Sequence, residues 1–126
     1  MIVEARQVEL YKTEEGEIPY EIWLDRLKDS RTRSQITVRI TRLRTGNLGR
    51  YKSVGGGVIE LALDFGPGYR IYIAQVGAVI TLLLCAGEKR TQERDIAAAK
   101  NYWADYQRRM QPPSLGEERS AHVKAN

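Results

Sequence analysis

The sequence predicts an α+β fold: a small domain with a curved, mostly antiparallel sheet and helices packed on one side, in the order β-α-α-β-β-β-β-α. Three observations predict it. Apolar residues recur at helical spacing over residues 19–45 and 91–110, but alternate with period two between 50 and 85. Gly66-Pro67-Gly68 separates two alternating runs and supplies turn chemistry. The length of 126 residues suits a single domain. Residues 1–110 hold every periodic segment. Residues 111–126, opening on Gln111-Pro112-Pro113-Ser114, read as a disordered tail that holds the one histidine, His122.

Each element has a local reason. Val3 to Lys12 alternates loosely and reads as a first strand. Pro19 opens a helix, where its missing N–H costs nothing. Tyr20, Trp23, Leu24 and Leu27 then form one apolar stripe. Ser30 is expected to cap a second helix, about 31–45, which buries Ile36, Ile40 and Leu43 and ends at Gly46-Asn47. Arg50 to Val54 is a short strand, and Gly55-Gly56-Gly57 a flexible break. Ile59, Leu61, Leu63 and Phe65 alternate with Glu60, Ala62 and Asp64. After the turn, Tyr69, Ile71 and Ile73 alternate with Arg70, Tyr72 and Ala74. This is a hairpin with one buried and one polar face. Ala78–Cys85 is apolar on both faces and reads as a central strand. Thr91 opens the last helix, with Ile96, Ala99, Trp103 and Tyr106 as its stripe.

Charge is unevenly placed. The chain carries +4 in total, yet residues 1–25 hold seven acids against two bases, and residues 26–52 hold nine bases against Asp29 alone. Such a basic block is either an electrostatic footprint for nucleic acid or a solvated helix face. The lone cysteine, Cys85, lies in an apolar run and reads as a buried thiol. No segment approaches a membrane span and the start does not read as a signal peptide, so a cytoplasmic protein is expected. No spacing suits a metal site, and no phosphate loop or dinucleotide signature occurs. No cofactor is expected.

The remaining chemistry is cationic. Arg70 projects from the polar face of the hairpin, with Tyr72 two residues on and Glu60 and Ala62 across from them. Lys89 and Arg90 follow the central strand, and Lys52 ends the short strand. These could converge at one concave edge. An arginine there can hold a phosphate bidentately and oppose charge building in a transition state. Against this stand plainer readings: Arg70 paired with Glu60 or Asp64, Tyr72 as a packing residue, and Lys89 and Arg90 in a solvated loop.

Trp23-Leu24 with Leu27 and Asp29, Arg39-Ile40, Gly46-Asn47-Leu48-Gly49, Lys52, Glu60-Leu61, Phe65-Gly66-Pro67-Gly68-Tyr69-Arg70-Ile71-Tyr72, Leu83-Leu84, Gly87-Glu88-Lys89, and Gln92 with Asp95-Ile96 form a set. Together they resemble the RelE/ParE superfamily of type II toxins, most closely its phage-type, HigB-like addiction module killer branch. The resemblance runs from about Val8 to Tyr106. It implies a toxin that enters the ribosomal A site and cuts mRNA, using the RNA 2′-hydroxyl as nucleophile and basic residues in place of histidines. It implies a cognate antitoxin, usually a small helix-turn-helix protein, as partner. Arg70 matches the arginine of the family's Gly-Tyr-Arg motif, Lys89 and Arg90 the basic pair after the last strand, and Lys52 a lysine common to this branch. Arg70, Lys89, Arg90 and Lys52 are therefore the expected catalytic set. Arg33, Arg39, Arg42, Arg44, Arg50 and Tyr72 are the expected RNA contacts. The family strand usually carries a cation where this chain has Ala62. A ParE-like inhibitor of DNA gyrase, or an attenuated toxin acting mainly in an autoregulatory antitoxin complex, are the alternatives.

Overall fold

A computed structural model describes residues 6–110. The expected tail, with His122, lies outside the described residues. Strand β1 is Gln7–Leu10. Helix α1 is Pro19–Arg26 and α2 is Ser30–Leu43. Strands β2 (Tyr51–Gly55), β3 (Val58–Ala62), β4 (Tyr69–Val76) and β5 (Ile80–Glu88) follow. A 3-10 turn, Lys89–Thr91, leads into α3, Gln92–Met110. The five strands form one sheet ordered β1-β5-β4-β3-β2. Only the β1–β5 pair is parallel. The α+β class and element order are as expected.

Local chemistry sets the boundaries. Pro19 occupies the first turn of α1. Asp29, not Ser30, caps α2: its carboxylate accepts from the Arg31 amide at 3.1 Å and from Thr32 Oγ1 at 2.8 Å. Both residue types cap well, and an extended backbone at position 29 decides between them. The helix ends early, because Gly46 turns left-handed (φ +81°) and its amide returns to the Leu43 carbonyl. The expected break at Gly55-Gly56-Gly57 is an ordered hairpin turn joining β2 to β3. All three glycines have positive φ, and Gly57 lies against the Trp103 indole.

One expectation is corrected. The helices do not share one side of the sheet. Tyr20, Ile36 and Leu43 pack with Leu61, Ile71, Ile73 and Leu83 on one face. On the other, Ile96, Ala99, Trp103 and Tyr106 of α3 pack with Val58, Tyr72, Ala74, Leu82 and Leu84. The reason lies in β4 and β5, which are apolar on both faces. A strand pair of that kind must be covered twice. The supposed polar face of the hairpin is thus roofed by α3 over much of its length.

Candidate functional site

The register fixes the site. Glu60 pairs with Tyr72, Ala62 with Arg70, and Lys52 with Glu60. Alternation then puts Lys52, Glu60, Ala62, Arg70 and Tyr72 on one face. Glu60 is the hub and is only 2% exposed. Its Oε2 accepts from the Tyr72 hydroxyl at 3.0 Å and the Gln92 side-chain amide at 2.8 Å. Its Oε1 lies 3.8 Å from Lys52 Nζ and 3.9 Å from Arg70 Nε. Burial, followed by the charge of Glu60, pushes the Tyr72 phenol well above its ordinary pKa, so it remains a proton donor to the carboxylate.

Arg70 is hydrogen-bonded through one end of its guanidinium and faces a counter-charge at the other. Nη1 donates to the Gly68 carbonyl at 2.7 Å, and Nε faces Glu60 just beyond hydrogen-bond range. Nη2 has no protein partner among the described residues. Its side chain is 14% exposed, so the charge is both anchored and partly dry. Lys89 flanks the same glycine: a Cβ built on Gly68 would lie 2.9 Å from Arg70 Nη1 and 3.3 Å from Lys89 Cβ. The 3-10 turn that carries Lys89 is fixed from below. Thr91 Oγ1 donates to Asp95 Oδ2 at 2.6 Å and accepts from the Glu88 amide at 3.3 Å. Gly87 sits opposite Arg70 on β5, and a side chain there would strike the Asp95 carboxylate.

Two clefts open beside this cluster. The smaller, about 200 Å³, is lined by Arg50, Tyr51, Lys52, Glu60, Ala62 and Arg70. The larger, about 600 Å³, runs between α2 and the end of β3, and shares Arg50 and Ala62 as walls. Arg31, Arg39 and Arg42 also border it.

The structure brings together Lys52, Arg70 and, across Gly68, Lys89. Arg39, Arg42 and Arg50 border the adjoining cleft. Five expected residues fall elsewhere or are otherwise occupied. Tyr72 is fully buried, because α3 covers it, and cannot touch RNA. Arg90 is exposed and turns to Glu88 at 2.9 Å. Arg33 faces the α1 side, 4.0 Å from Asp25. Arg44 is eleven residues on, and at about 100° per residue it shares Arg33's flank, away from the cleft. Arg39 borders the cleft but commits Nη2 to the Leu48 carbonyl, and burial, then the neighbouring Arg42, lowers its pKa.

Sequence reasoning missed Glu60 as the hub, and Gln92, Arg31, Gln35 and Tyr51 as neighbours. The signal for Glu60 was present: an acid inside an apolar strand, directly across from a tyrosine. Among the described residues no group of three or more His, Cys, Asp or Glu is placed to hold a metal ion. None of their helices is long and apolar enough to cross a membrane.

No family model matches the chain. It is 45% identical over 83 residues to an uncharacterized protein of Haemophilus influenzae, a match covering 66% of this chain and 84% of that protein.

Proposed function

The chain belongs to one family with that Haemophilus influenzae protein, and we propose that it is the toxin of a type II toxin–antitoxin system, a ribosome-dependent endoribonuclease acting on mRNA in the cytoplasm. The observation that carries this reading is the anchored Arg70 in a concave site shared with Lys52, with Lys89 beside it. Attack of an RNA 2′-hydroxyl on the adjacent phosphorus forms a 2′,3′-cyclic phosphate and breaks the bond to the 5′ oxygen, which leaves as a hydroxyl while the 2′ proton is given up to solvent. Negative charge builds on the non-bridging oxygens as it does so. Arg70 Nη2, free to donate and held in place, opposes that charge. Lys52, on the rim, adds a mobile ammonium. Glu60 is a positioning residue: it touches both cations and lies beneath them. A cognate antitoxin would cover this face.

Expression of the protein in growing cells, with transcript ends mapped after induction, tests the reading. Cleaved mRNA and arrested growth are expected, and Arg70→Ala should abolish both. Full toxicity of Arg70→Ala would remove Arg70 from the mechanism. Ala62 favours one second reading, a gyrase poison without nuclease chemistry, because a cation is missing beside Arg70. Intact transcripts together with relaxed or broken DNA would support it and refute the nuclease.

A further inference from the structure

We infer that the larger cleft is a subsite for single-stranded RNA, taking the nucleotides next to the phosphate held by Arg70. This rests on the nuclease reading above.

The cleft has the composition such a strand needs. On α2, Arg31, Gln35, Val38 and Arg42 recur at i, i+4, i+7 and i+11, a second stripe turned away from the core stripe of Ile36, Ile40 and Leu43. Arg31 and Arg42 stand about 16 Å apart along the helix axis, room for more than one phosphate. Neither has a carboxylate within ion-pair distance among the described residues. Among the described residues Asp64 is the only acid lining the cleft, and it pairs with Arg50 at 2.5 Å on the exposed surface. Such exposed pairs are weak and exchange readily. Unneutralised guanidinia make the cleft positive, which draws in a chain of phosphates.

The wall between these cations is apolar. Val38 is 52% exposed, and Phe65 is partly exposed on the opposite side. Cations over an apolar wall suit a strand that offers phosphates and the faces of bases. Continuity supplies the direction. Arg50 and Ala62 line both clefts, so a strand leaving Arg70 passes Ala62 and enters this one.

The test uses the whole chain and a fluorescein-labelled, uncleavable 2′-O-methyl oligouridylate, titrated over a range of salt. Each phosphate contact to a single strand adds about 0.7 to the log–log salt slope. The double variant Arg31→Ala, Arg42→Ala should flatten the slope by about 1.4. Arg94→Ala, an exposed cation on α3, should leave it unchanged. An abasic strand of the same length should bind about fivefold or more weaker to the wild-type protein. An unchanged slope in the double variant, or equal binding of the abasic strand, overturns the subsite. Binding of an acidic helical peptide, with no oligonucleotide binding, assigns the cleft to a protein and also overturns it. A flattened slope without mRNA cleavage in cells would refute the nuclease reading and leave the RNA subsite standing.

Discussion

Glu60→Ala should be among the most damaging single changes available to this chain. The side chain is almost fully buried and accepts from Tyr72 and Gln92. Hydrogen bonds to a charged group contribute about 1.5–3 kcal/mol each, so the two together reach about 3–6 kcal/mol. The same deletion strips Arg70 of its counter-charge. Breaking a buried pair by removing one partner costs about 3–5 kcal/mol, and the two routes agree near 4 kcal/mol. Lys52 adds little, because its ammonium is mostly in solvent. A domain of this size has about 5–15 kcal/mol in total, so the variant should be close to unfolding. Urea denaturation reads this as a fall in midpoint at constant slope. Glu60→Gln keeps an acceptor and the shape, and should cost less than half as much. Tyr72→Phe should cost at least about 1 kcal/mol in the wild type and far less in the Glu60→Ala background, because the hydroxyl has then already lost its acceptor. A loss below about 1 kcal/mol for Glu60→Ala would refute the hub.

Three further outcomes follow from the geometry. Gly57→Ala puts a Cβ 2.7 Å from Trp103 Nε1 at a residue with φ +86°. Left-handed strain of about 1–2 kcal/mol and overpacking of about 1–3 kcal/mol should together lower the urea midpoint. An unchanged midpoint would mean the turn does not bear on α3. Stability should fall as pH rises from about 10 to about 12, because burial raises both Tyr11 and Tyr20 to about 12. A phenol whose folded pKa is raised supports the fold below its unfolded value and loses that support as pH climbs through the folded one. Far-UV circular dichroism across that range reads it, and a flat profile would count against both burials. Ala62→Lys restores a cation opposite Arg70. It should steepen the salt slope of oligouridylate binding by about 0.7, and an unaltered slope would show that position 62 does not reach the strand.

Much of this was legible in the sequence, for identifiable reasons. Period-two alternation on either side of Gly66-Pro67-Gly68 gave the hairpin, and with it the pairing of Glu60 and Ala62 across from Tyr72 and Arg70. The α3 stripe of Ile96, Ala99, Trp103 and Tyr106 was also readable, but not the face it covers. A stripe says that a helix needs a partner, not which side of the sheet provides it. The both-sided apolarity of residues 78–85 contained that answer and was read only as a central strand. Glu60 was visible as an acid opposite a tyrosine, yet its role depends on Gln92, thirty-two residues away and brought in by α3. No local pattern carries that contact. The arginines of α2 were read as one basic face, although helical geometry divides them: Arg31 and Arg42 toward the cleft, Arg33 and Arg44 to the other flank.

The two irregularities of the sheet lie on either side of the hairpin, at the level of Glu60. The β4–β5 register slips between Tyr72 and Ile73, and the β2–β3 register slips between Ser53 and Gly55. Each slip lies within one residue of a side chain that touches Glu60: Tyr72 in the first case, Lys52 in the second. A bulge bends its strand and increases local twist. Here the first lets Leu84 and Cys85 both face the α3 core. The hairpin end bearing Ala62 and Arg70 lies beyond both slips, toward the Gly66-Pro67-Gly68 turn, with its backbone paired on both sides. The strand end therefore holds Arg70 rigidly, with the small side chain of Ala62 directly across from it. Replacing Ala62 disturbs no buried hydrogen bond, whereas replacing Glu60 or Gly87 disturbs several. Change at position 62 is thus nearly free for the fold and consequential for the charge of the cleft, which makes it the place where that charge can be raised or lowered without rebuilding the sheet.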